Sequence, residues 1–153
     1  MARFETVTLV FAPPDVLFDT SLSVETHTAS MAGSSERAVA GVTTGLLGLG
    51  DRVTWQARHF GLTWRMTSTI SAWERPAYFV DEQVSGPFRH WRHEHRFEAA
   101  PHAGATLMTD VVDFAAPAGP LGRLAELLVL RRHLTHLINM RNQHIKTILE
   151  PSR

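Results

Sequence analysis

A long run of strand-like segments closed by one long helical stripe constrains this chain more than any other feature. From Glu36 to Ala115 the pattern is β throughout, in the runs Arg52–Phe60, Leu62–Trp73, Ala77–Ser85, Phe88–Ala99 and Ala105–Ala115. Turn signals separate them at Gly48–Asp51, Gly61, Glu74–Pro76, Gly86-Pro87 and Pro101–Gly104. Several runs are nine or more residues long, and long neighbouring strands joined by short turns predict an antiparallel meander that curls. After Pro117 and Pro120 the period changes. Leu127, Leu130, Leu134 and Leu137 recur at spacings of three and four, and Leu124, Leu128, Ile138, Ile145 and Ile148 broaden the stripe. This predicts a helix from Leu121 to Leu149, ~40 Å long and able to cross a whole sheet, with Leu127, Leu134 and Ile138 against the concave face.

Ahead of the meander, Phe4 to Phe11 alternates as a strand does, and Pro13-Pro14-Asp15 stops it. Pro14 suits the first turn of a short helix that continues through Val16, Leu17 and Phe18. A second short helix is expected from about Leu22 to Met31. The fold class is therefore α+β: a curved antiparallel sheet of six to seven strands around a long C-terminal helix, with two short helices after the first strand. A sheet curled around one helix leaves space on its concave side. With no repeat or linker, residues 1–153 are expected to form a single domain.

Charge and composition narrow the function. Fifteen basic residues balance 15 acidic ones, so no long-range field collects nucleic acid or an anionic membrane. With no cysteine there are no disulfides, thiolate catalysis or Cys-based zinc sites, as suits a reducing compartment. Glu5, Thr6 and Thr8 interrupt any secretory apolar segment, and no stretch approaches the ~20 apolar residues of a membrane span. A cytoplasmic location is expected.

Three segments carry a resemblance: Val53-Thr54-Trp55-Gln56-Ala57-Arg58-His59-Phe60-Gly61, the stretch Phe79–Phe97, and Gly119-Pro120-Leu121-Gly122-Arg123-Leu124. Together with the element order, they resemble a bacterial branch of the START and Bet v 1-like superfamily, which includes polyketide cyclases and lipid-transfer domains. The resemblance implies a helix-grip fold with a ligand cavity. It does not imply one activity, because ligand carriers, cyclases and regulatory modules share that scaffold.

Alternation phases the candidate site. Trp91, His93, His95 and Phe97 share one face of their strand, while His90, Arg92, Glu94, Arg96 and Glu98 share the polar, outer one. Three more inward rows follow: Val53, Trp55, Ala57 and His59; Trp64, Met66, Ser68 and Ile70; Met108, Asp110, Val112 and Phe114. The expected ligand-binding residues are Trp55, His59, Trp64, Met66, Ser68, Trp91, His93, His95, Asp110, Val112, Phe114 and Leu134. Apolar walls with a few polar points are the usual make-up of a small-molecule site.

His59, His93, His95 and Asp110 admit three readings. They form a satisfied buried network; or they orient a ligand or act as acid and base, with His93, His95 and Asp110 as catalytic candidates; or His93 and His95 bind a metal with His59 or Asp110 as third ligand. Two histidines alone are a weak metal signature, so no metal and no cofactor is expected. Asp81 and Glu82 read as a solvated strand end paired with Arg89 or Arg92. Arg131, Arg132, His133, Arg141, His144 and Lys146 read as the solvated side of the last helix.

The loop Thr43–Gly50 lacks the Gly-Lys-Ser/Thr ending of a phosphate loop, and its Leu46, Leu47 and Leu49 suggest an apolar lid or contact surface. No Gly-x-Ser-x-Gly, HExxH or GxGxxG motif is present. The expected function is binding, transport or sensing of a hydrophobic or amphipathic small molecule. A cyclase- or dehydratase-type enzyme in the same cavity and a protein-interaction module are the alternatives. The expected partner is that small molecule, with no nucleic acid and no integral membrane segment; a homodimer is left open.

Overall fold

The computed structural model describes residues 1–150 of the chain; the last three residues of the expected domain lie outside it. The elements run β1 (Ala2–Val10), α1 (Pro14–Leu22), α2 (Val24–Ser30), β2 (Arg37–Gly41), β3 (Arg52–His59), β4 (Leu62–Glu74), β5 (Tyr78–Ser85), β6 (His90–Ala99), β7 (Thr106–Ala115), α3 (Gly119–Ala125) and α4 (Arg131–Leu149). One seven-stranded sheet has the order β1-β7-β6-β5-β4-β3-β2, antiparallel throughout. This is the helix-grip arrangement the sequence predicts.

Local signals act where expected. Pro14 opens α1, and Ser23 caps α2 by accepting from the Thr26 N–H at 3.2 Å. Leu17 and Phe18 of α1 are fully buried, and the Phe18 ring meets Trp73, Phe79 and Phe97 edge-on at 5.5–5.7 Å. This plug seals one end of the curled sheet. At the other end Phe4, Val112 and Phe114 pack against Leu134 and Ile138 of α4. The helix therefore lies directly on β1 and β7 and stands off from β3 to β5.

The last helix departs from the expected stripe in one respect. Between α3 and α4 the chain makes a π-turn, Glu126–Leu130, whose wider repeat rephases the faces. Glu126 turns inward, 5% exposed, and accepts the Ala116 N–H at 2.7 Å. Leu127 is 69% exposed, so it does not reach the sheet, whereas Leu134 and Ile138 do. Gly122 lets α3 fold back on the turn that leaves β7: a Cβ there would collide with the Pro117 carbonyl. No helix among the described residues is long and apolar enough to cross a membrane.

Candidate functional site

The stand-off between α4 and the sheet leaves a cavity of about 320 Å³. Trp55 and His59 on β3, Trp64, Met66 and Ser68 on β4, Trp91, His93 and His95 on β6, and Leu134 on α4 all line it. Asp110, Val112 and Phe114 do not reach its wall. They sit on β7, directly beneath α4, and are completely buried. The Leu46–Leu49 loop divides: Leu46 and Leu49 point outward, 56% and 63% exposed, while Leu47 lines the cavity. Its backbone is tied to the α1–α2 junction by Val24 N–H to Gly45 O at 2.9 Å and Leu47 N–H to Leu22 O at 3.0 Å.

A charged cluster forms the polar end. His93 Nε2 donates to Asp110 at 2.7 Å, and Asp110 also accepts from Asn142 at 2.7 Å, Arg141 at 3.3 Å and Thr6 at 3.4 Å. His95 Nε2 donates to Asp81 at 2.7 Å while its Nδ1 accepts from Arg141 at 3.3 Å. Trp91 Nε1 adds a 3.3 Å bond to Asp81. The strand register explains the meeting, since Asp81 is the cross-strand partner of His93 and His95 that of Asp110.

Two residues of this cluster depart from the sequence reading. Asp81 is not a solvated strand end: it shares the inner face with Phe79, and Glu82 alone pairs outward, 3.8 Å from Arg92. Arg141 is not on the solvated side of the helix; it is 3% exposed and stands on the stripe Leu134, Ile138, Arg141, Ile145. That spacing of four, three and four is its available signal. Lys146 likewise turns to the protein and donates to the Leu9 carbonyl at 2.8 Å. His59 does not join the cluster. Its Nδ1 lies 3.1 Å from His133 Nε2, linking the end of β3 to the start of α4.

Burial alone would raise the Asp81 pKa, but the His95 hydrogen bond and the charge of His93 outweigh it and hold the carboxyl down to about 2. Asp110 is held low the same way, with burial overcome by the His93 bond and the Arg141 charge. Burial and the charges of His93 and Arg141 push His95 down to about 3, against the pull of Asp81. Burial also lowers His59 and His133. The site thus presents two ionised carboxylates, a neutral His95 and one guanidinium.

Asp81, His93 and His95 each bring a ligand atom within 4.8 Å of the others, a donor set that suits divalent metals. The third ligand would be Asp81, not His59 or Asp110. The rings are stacked, however. His95 is stacked between Phe79 at 4.1 Å and His93 at 3.7 Å, with planes 15° and 22° apart. Because Arg141 donates to Nδ1 of His95, the proton of that ring sits on Nε2, where it is given to Asp81 and leaves no lone pair for a metal. The geometry suits a hydrogen-bonded network better than ligation.

Among solved structures, the chain is similar to TTHA0849 from Thermus thermophilus, with a TM-score of 0.74 and 16% identity over 97% of this chain and 100% of that one. It is also similar to ginseng major latex-like protein 151 from Panax ginseng, with a TM-score of 0.72 and 13% identity over 98% of each chain. Ara h 8.0201 follows at a TM-score of 0.69 and 17% identity, over 97% of each chain. At such identities the likeness is one of fold, the helix-grip arrangement described above. No family model and no curated protein matches the sequence.

Proposed function

We propose that this chain, on its START/Bet v 1-like scaffold, acts as one ligand-binding unit that reversibly holds a hydrophobic or amphipathic small molecule in its cavity. The observation that carries this reading is the setting of Asp81. Its ionised side chain is 21% exposed and lines the cavity, whereas His93 and His95 beside it are 5% and 4% exposed and Asp110 behind them 0%. A ligand hydroxyl, phenol or ammonium would donate to that carboxylate. A ligand carboxylate would meet its charge, with Arg141 already engaged by Asp110 and His95. The volume is at the small end of ligand sites, and Trp55, Trp64 and Trp91 supply aromatic wall. Carriage or sensing of that molecule is the role such binding serves.

Binding is favoured over acid–base catalysis by the state of His95. A ring held neutral down to about pH 3 is a weak base at neutral pH.

Tryptophan emission tests the proposal, because three of the four tryptophans line the cavity. Titration at neutral pH with a long-chain alcohol should shift the spectrum at lower concentration than the matching carboxylic acid does. Ser68→Phe, which fills the cavity, should abolish the response while the protein stays folded. No response to either ligand, or an undiminished response in Ser68→Phe, overturns the reading.

A further inference from the structure

The outward leucines of α3 and the π-turn have no partner in the fold. Leu121 is 74% exposed, Leu124 53%, Leu127 69% and Leu128 65%, a contiguous apolar face of the kind that marks a contact surface. Three exposed arginines, Arg123, Arg131 and Arg132, accompany it. None of the three is in an ion pair among the described residues, unlike Arg3, Arg75, Arg92, Arg96 and Arg141. The only acid between Gly119 and Arg132 is Glu126, turned inward onto the Ala116 N–H. A chain of zero net charge therefore carries, beside these leucines, three positive charges without an ion-pair partner among the described residues.

The patch adjoins the cavity. The exposed Phe60 ring lies 4.7 Å from the His133 ring, one residue beyond Arg132, and Phe60, Leu130 and His133 all line the cavity.

We propose that this face docks peripherally on an anionic lipid bilayer, with the leucines in the boundary between headgroups and acyl chains and Arg123, Arg131 and Arg132 on the lipid phosphates. A short amphipathic segment with basic residues beside an apolar face suits that plane. A second copy of the chain fits less well. A two-fold contact through this face brings like patches together, placing arginine near arginine with no outward acid to relieve them. Lipid phosphates neutralise the same charges. Docking goes beyond the small-molecule reading and does not depend on it.

Flotation of the full chain with vesicles tests it without any cavity ligand. Vesicles of phosphatidylcholine with about a third phosphatidylglycerol should carry the protein, and pure phosphatidylcholine should not. High salt should weaken the binding. Arg131→Gln with Arg132→Gln should lower partitioning roughly thirtyfold, the product of two near-surface charges. Leu124→Ser with Leu127→Ser and Leu128→Ser should abolish flotation, and circular dichroism should show an intact fold because all three are exposed. Failure to float on the anionic vesicles overturns the proposal, as does full binding by the folded leucine variant. So does a dimer in sedimentation that the leucine variant dissolves while the wild type ignores lipid.

Discussion

Arg141 on the last helix donates to Asp110 on β7 at 3.3 Å, and neither residue is open to solvent. The pair ties the helix to the strand on which it rests, and Arg141 lines the cavity as well. Asp110 is kept ionised by partners that all lie within the protein.

Removing the guanidinium should therefore cost more than the packing it fills. Arg141→Met keeps most of the volume but leaves the Asp110 carboxylate with only histidine, asparagine and hydroxyl partners. Breaking a buried pair this way costs about 3–5 kcal/mol. Urea denaturation should show the midpoint falling accordingly. A midpoint like that of wild type would mean that the network does not hold the helix.

Acid should unfold the protein earlier than carboxylates alone require. His95 is pushed from 6.5 to about 3 in the fold, so the unfolded chain takes up its proton first as pH falls. Its stabilising contribution is complete above 6.5 and drains away towards 3. Asp81, lowered from 3.8 to about 2, adds a further loss below 3.8. The total is several kcal/mol. Denaturation midpoints measured across that range should fall steadily, and His95→Gln should flatten the limb between pH 6.5 and 4, since a glutamine amide still donates but does not titrate.

Much of this is legible in the sequence, and the failures have definite causes. Strand runs and turns emerge because a sheet with one buried face enforces a period of two, so Trp91, His93, His95 and Phe97 declare their side. The same alternation, applied from Phe79, puts Asp81 inside; reading it by charge and by the nearby Gly86-Pro87 turn puts it outside. Arg141 is misplaced for the same reason, although it stands on the apolar stripe. Leu127 is different. An ideal helical period cannot reveal a π-turn, and only the Glu126 bond to Ala116 explains the change of face.

Leu127 and Leu134 now separate sharply. Leu134→Ala should cost about 2–5 kcal/mol, because the side chain is buried among Phe4, Val112 and Phe114. Leu127→Ala should stay within about 0.5 kcal/mol. Thermal or chemical unfolding of the two variants side by side measures the difference, and equal effects would contradict the rephased helix.

The leucine loop makes a similar contrast. Leu46→Ser with Leu49→Ser should leave both stability and ligand kinetics close to wild type, since both side chains face water. Leu47→Ser places a hydroxyl at the cavity wall and should speed ligand release. Stopped-flow release of a bound alcohol distinguishes them; equal rates in the two variants would remove Leu47 from the wall.

Asp81→Asn should invert ligand preference. The amide keeps the shape but loses the charge, so binding of a matched carboxylic acid should strengthen relative to the alcohol by about tenfold, the equivalent of about 1.4 kcal/mol. Competition between the two ligands reads this ratio directly.

The pairing of β1 with β7 sets an order of events during synthesis. Ala2 lies opposite Phe114 and Val10 opposite Thr106, so β1 waits about a hundred residues of synthesis for its neighbour. Until then Phe4 and Val10 have no sheet to rest on, and the strand offers an open edge to other nascent chains. Closure of that edge also brings α4 onto β1, because Lys146 near the end of α4 holds the Leu9 carbonyl. A chain released before β7 is complete keeps β1 exposed, and aggregation rather than slow folding is the fate that strand invites.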